Sequence, residues 1–118
     1  MIALFGALVL WSGFQLATAP TASAGEQTVV IETQTFAPQM MKIQVGDRVT
    51  WTNRDDTEHF LTSSGPLSRG VATRVDDLEF HQHMIPGSDY SHSFRAPGVY
   101  GYFCAIHMGM WGTIVVEP

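Results

Sequence analysis

Val99-Tyr-Gly-Tyr-Phe103 runs directly into Cys104-Ala-Ile-His107-Met108-Gly-Met110, and Gly112-Thr-Ile-Val-Val-Glu117 follows at once. The two outer segments are rich in β-branched and aromatic residues and read as strands. The seven residues between them form a loop at one end of those strands. That loop holds the only cysteine, one of five histidines and two of six methionines. Thiolate, imidazole and thioether are soft-to-borderline donors, a set suited to copper that cycles between Cu(I) and Cu(II). Seven residues cannot surround an ion alone, so a second imidazole must come from elsewhere in the chain. His59 is best placed, at the end of the polar stretch that follows the Trp51 strand, with His81, His83 and His92 as competitors. His92 alternates with Tyr90 and Phe94, which puts it on their face or on a rim, with no metal role. Spacing alone leaves Met108 and Met110 as rival thioether donors.

Working outward, the remaining segments are also strand-like. Thr28–Phe36 is β-branched and partly alternating, and Pro38 ends it. Met41–Val45 alternates with Met41, Ile43 and Val45 on one face, and Gly46-Asp47 is a turn signal. Arg48–Thr52 directs Val49 and Trp51 inward. His59–Thr62 is a short strand, Ser63–Asp77 a long loop or irregular edge, and Leu78–Ile85 a strand closed by Pro86-Gly87. Tyr90–Phe94 alternates large and small residues, and Pro97-Gly98 turns the chain into Val99. No segment beyond the N-terminus shows helical periodicity. Seven or eight short strands with near-regular turns make an all-β fold, a Greek-key antiparallel β-sandwich.

The bulk composition narrows the function. With 118 residues the chain supports one domain, and 45% hydrophobic against 14% charged residues is the balance of a core-former. Six Lys and Arg against 11 Asp and Glu give a net charge of -5. Nucleic acid is therefore excluded as a partner, because neutralising phosphates needs clustered basic residues. A single cysteine rules out an intramolecular disulfide and an all-cysteine zinc site. An unpaired thiol in an exported protein calls for an explanation, and metal ligation supplies one.

Export is read from the N-terminus. Residues 2–19 are mostly apolar and uncharged, and Ala22-Ser23-Ala24 has the small-x-small pattern of a leader peptidase site. Residues 1–24 are thus a signal peptide or, if residues 2–19 are retained, a membrane anchor just long enough to reach across a bilayer core. Residues 25–118 are the copper-binding domain, monomeric and periplasmic or otherwise exported.

A resemblance is visible in Phe36-x-Pro38, in Val45-x-Asp47-x-Val49-x-Trp51-x-Asn53-x-Asp55 leading to His59, and in Pro86-Gly87 and Phe94. It continues through Pro97-Gly98-x-Tyr100-x-Tyr102-x-Cys104-x-x-His107-x-x-Met110-x-Gly112. Together these resemble the cupredoxin family of blue type 1 copper proteins, in its plastocyanin, pseudoazurin and amicyanin group. The two-residue gaps from Cys104 to His107 and from His107 to Met110 are similar to those of amicyanin. The resemblance implies a cupredoxin sandwich with His59, Cys104, His107 and Met110 as ligands of one copper ion. It also implies electron transport between redox partner proteins, without catalysis. Two positions depart from the group: Met108 stands where Pro is common, and Trp111 where a charged residue is common.

Other features point to alternatives. His81 and His83 face the same way on a strand. With Met84, Met40 and Met41 they are candidates for an additional copper site, as a copper chaperone or resistance protein would need. A retained anchor would instead suit a tethered subunit of a larger redox complex. Asp55, Asp56 and Glu58 form one acidic cluster, and Asp76, Asp77 and Glu79 a second. Either is a solvated surface or a means of steering toward a basic partner.

Overall fold

A computed structural model describes residues 25–66 and 80–118. Nine strands are present among them: β1 (Glu26–Glu32), β2 (Thr35–Ala37), β3 (Met40–Gln44), β4 (Arg48–Asn53), β5 (His59–Pro66), β6 (His81–Met84), β7 (Asp89–Ser93), β8 (Gly98–Cys104) and β9 (Trp111–Glu117). They form two facing sheets, in the orders β2-β1-β4-β7 and β3-β9-β8-β5-β6. The architecture is the all-β sandwich read from the sequence, with no helix among the described residues. Five of the ladders are antiparallel; β1 with β4 and β3 with β9 run parallel.

The strand count exceeds expectation for a local reason. Thr28–Phe36 reads as a single strand, but Thr33 and Gln34 both adopt positive φ, 51° and 55°, and fold it into a hairpin. Val30 then pairs with Ala37 and Glu32 with Thr35. β5 extends from Ser63 through Pro66, positions expected to be loop, because Ser63, Gly65 and Pro66 pair with Tyr102, Gly101 and Tyr100 of β8, with a register shift between Ser63 and Gly65. Residues 67–77 of that expected loop, the Leu78 start of the next strand, the second acidic cluster and the N-terminal apolar segment lie outside the described residues.

The period of two fixes the core. Val29 and Ile31 of β1, and Val49, Trp51 and Asn53 of β4, point inward from one sheet. Leu61 of β5, Tyr100, Tyr102 and Cys104 of β8, and Ile114 and Val116 of β9 point inward from the other. Trp51 is fully buried, with its ring 5.3 Å from that of Tyr102 across the interior in an edge-to-face contact. Rings this size dominate the burial term in a small domain, since each removes about 150–250 Å² from water. This alternation also places the donors. Cys104 is the next inward position after Tyr100 and Tyr102, and His59 the inward position before Leu61. Because Leu61 pairs with Cys104, His59 lies just past the end of β8, where the Cys104–Met110 loop begins.

Candidate metal centre

Backbone bonds fasten the loop after Cys104 at both ends. The Cys104 N–H donates to the Met110 carbonyl at 2.9 Å, and the Ala105 N–H donates to the Phe60 carbonyl at 3.0 Å. Phe103 pairs with Trp111 across its base. Gly109 turns the chain with φ of 78°, a left-handed conformation that glycine adopts without steric cost.

Three donors meet inside this frame. Cys104 Sγ lies 3.2 Å from His107 Nδ1 and 3.6 Å from His59 Nδ1. All three donor atoms lie within 4.8 Å of one another. Bonds of about 2.0 Å to nitrogen and 2.3 Å to sulfur place two donors of one ion about 3.2–3.8 Å apart at ordinary coordination angles. The residues present therefore fit a single metal ion. His59 is fully buried, Cys104 is nearly so, and His107 is partly exposed. The family described as copper binding proteins, plastocyanin/azurin family, matches residues 23–117.

The chain belongs to this family.

Among its relatives, amicyanin-alpha of Methylorubrum extorquens is 33% identical over 117 residues, spanning 98% of this chain and 92% of that protein. A chloroplastic plastocyanin of Tetradesmus obliquus is 32% identical over 110 residues, 90% of this chain and 74% of that protein. In structure, a reduced amicyanin variant superposes with a TM-score of 0.65 at 29% identity, covering 80% of this chain and 83% of the other. A purple cupredoxin from Nitrosopumilus maritimus gives 0.63 at 26% identity, covering 77% and 99%. The fold, the family and the His/Cys/His cluster together support a blue-copper electron carrier, a role that is not enzymatic at the family level.

The surroundings of this cupredoxin's donors are specific to its sequence. The Phe60 N–H points at Cys104 Sγ from 3.5 Å, giving the sulfur a backbone donor. His59 Nε2 is 2.8 Å from Asp55 Oδ2. Burial of Asp55 works against ionisation, but the Gln34 N–H, the His59 ring and the Thr33 N–H outweigh it and hold its carboxyl below the usual carboxylate range. Met110 is buried behind the loop, whereas Met108 is fully exposed.

The other histidines do not join the cluster. His81 and His83 are exposed on edge strand β6, and the Phe60 ring stacks on both, at 5.3 and 4.5 Å. His81 Nδ1 is 2.9 Å from Thr62 Oγ1, and His83 Nε2 is 2.6 Å from Glu58 Oε2. Among the described residues neither belongs to a metal-sized group of three donors. His92 packs between Phe80 and Phe94, on the aromatic side of the sandwich, as its alternation indicates. The sequence reading passed over the Phe60 N–H and the turn at Thr33–Gln34 altogether. A backbone donor has no side-chain signature, and a left-handed turn without glycine has no compositional one.

Proposed function

We propose that this chain carries single electrons between redox partner proteins outside the cytoplasm, with copper held by His59, Cys104, His107 and Met110. The observation that carries this reading is the convergence of one thiol and two imidazole nitrogens at the end of the β-sandwich. Bound there, copper supplies one-electron chemistry between Cu(I) and Cu(II).

The protein's part is to hold its donors still. Cys104 is fixed by its pairing with Leu61 of β5 and by the bond to Met110, and its sulfur receives the Phe60 N–H. His59 is fixed by complete burial and by Asp55. A frame that cannot rearrange reduces the structural change that accompanies each transfer. Donation requires a thiolate and neutral imidazoles, so copper uptake releases protons and weakens as pH falls. Met110 would supply the thioether, because it is buried and tied by its carbonyl to Cys104, whereas Met108 projects into solvent.

His107, the donor with access to the surface, sits among Ile106 at 48%, Met108 at 103% and Trp111 at 53% exposure. Ile85 is exposed at the same end of the sandwich, since Met84 pairs with His59. Asp56 and Glu58 are exposed on the neighbouring β4–β5 loop. An apolar patch bordered by acidic residues suits a partner with an apolar contact and a basic rim. The uncharged 2–19 segment and Ala22-Ser23-Ala24 support export, with residues 1–24 as leader or anchor and 25–118 as the working domain.

Copper-loaded protein is expected to show an intense thiolate-to-copper band in the visible, with one copper per chain. Cys104→Ser is expected to abolish it. A band that survives this substitution sinks the assignment. Electron exchange with a basic partner should slow as salt is raised, while a partner indifferent to salt removes the steering role of Asp56 and Glu58.

A further inference from the structure

The β1–β2 hairpin closes with a two-residue turn in which Thr33 and Gln34 both have positive φ, 51° and 55°. Turns of this kind ordinarily use Asn-Gly or Asp-Gly, because a β-branched residue such as threonine is strained there. The strain has a local compensation. Both turn N–H groups donate to one carboxylate: Thr33 to Asp55 Oδ1 at 2.6 Å and Gln34 to Asp55 Oδ2 at 3.0 Å. The Asp55 N–H in turn donates to Asn53 Oδ1 at 3.0 Å, and Asn53 Nδ2 donates to the carbonyls of Met84 at 2.9 Å and Thr57 at 3.0 Å. Asp55 is thus held from its own loop and from the hairpin above it. The oxygen that receives Gln34 also faces His59 Nε2 at 2.8 Å.

We propose that Asp55 is a positioning residue for His59: anchored by the Thr33–Gln34 turn, it accepts the Nε2–H and so keeps the lone pair of the neutral ring on Nδ1, facing Cys104, before any metal arrives. An ionised carboxylate can only accept, so the nitrogen that faces it carries the proton. In the other neutral tautomer Nδ1 would carry hydrogen and could not donate to a metal, and Nε2 would set its lone pair against a carboxylate oxygen. The hairpin on one sheet therefore decides which nitrogen of a buried ring on the other sheet is ready to ligate. Carboxylates behind ligating imidazoles act in this way generally, fixing tautomer and orientation.

Two measurements on the full chain test this. In metal-free protein, heteronuclear NMR of the imidazole nitrogens is expected to show the His59 Nε2–H tautomer, and Asp55→Ala to lose it. Cu(II) affinity of Asp55→Ala is expected to fall about 10- to 100-fold. Asp55→Asn can still offer its amide oxygen to Nε2–H by giving up Thr33, so it is expected to retain the tautomer and most of the affinity. An Asp55→Ala protein that keeps both signatures overturns the proposal, even if it is less stable. If Asp55→Ala does not fold, loss of the Nε2–H tautomer in a folded Asp55→Asn overturns it instead. The affinity measurement rests on the copper assignment above. The tautomer measurement does not, so failure of the unaltered chain to bind copper would count against that assignment and leave the positioning of His59 to be decided by NMR alone.

Discussion

Tyr102 on β8 lays its ring in the space that a β-carbon on its cross-strand partner Gly112 of β9 would occupy. The ring lies against the bare backbone and makes edge-to-face contacts with the rings of Phe36 and Trp51. Gly112 is needed for this close approach, and it sits two residues past Met110, where β9 leaves the donor loop.

Gly112→Ala should therefore be costly although alanine suits a strand better than glycine. The methyl group must displace an aromatic ring that is itself packed on two others, an overpacking cost of about 1–3 kcal/mol. Urea unfolding of the metal-free protein measures it, and an unchanged midpoint would show that Tyr102 can move aside freely.

Tyr102 also sets an alkaline limit. Burial raises its phenol from 10.0 to about 12, with the Trp51 side chain offsetting part of the effect. The folded state thus holds its proton where the unfolded chain has released it. Stability from this group is complete below pH 10, declines as pH rises, and is lost by about 12. Two units correspond to about 3 kcal/mol. Tyr102→Phe should flatten this decline, which unfolding midpoints measured across that range will show.

The two methionines of the donor loop should separate cleanly. Met108→Leu alters only an exposed side chain and is expected to leave the visible and EPR spectra of the copper protein unchanged. Met110→Leu keeps the buried volume but removes the sulfur, and should shift both the spectra and the reduction potential. If the effects are reversed, Met108 is the thioether donor.

Copper stoichiometry should stay at one per chain in the His81→Ala, His83→Ala double variant. The Phe60 ring stacks on both imidazoles, and no third donor joins them among the described residues. A second equivalent of copper in the unaltered protein that disappears in the double variant would favour the copper-handling alternative. The same variant exposes Phe60, so electron-exchange rates should be compared at equal copper loading.

How much of this could be read beforehand divides along a physical line. The alternation of Val49 with Trp51 and of Tyr100 with Tyr102 needs only the period of a strand, so the sandwich was legible. The pairing of Cys104 with His107 in one cluster was legible because the two are three residues apart, whereas His59 joins them from another strand. The splitting of Thr28–Phe36 was not. Propensity favours a strand through Thr33 and Gln34, and the carboxylate that stabilises their left-handed turn lies about twenty residues away. The extension of β5 from Ser63 through Pro66 was missed for a similar reason. A small polar residue joins a strand when a neighbouring edge supplies hydrogen bonds, and that neighbour, β8, is distant in sequence.

By itself, then, the sequence determined which chemical groups are available and on which face of each strand they fall. It could not determine which nitrogen of His59 faces the sulfur, or whether His81 and His83 meet. Those outcomes depend on distances between strands that only the closed sandwich sets. Asp55 reaches His59 because one hairpin holds it there, and the edge imidazoles stack on Phe60 because β6 pairs with β5 in one register. Tertiary packing converts a list of donors into a centre by fixing orientation, which sequence spacing encodes only within a single turn or strand.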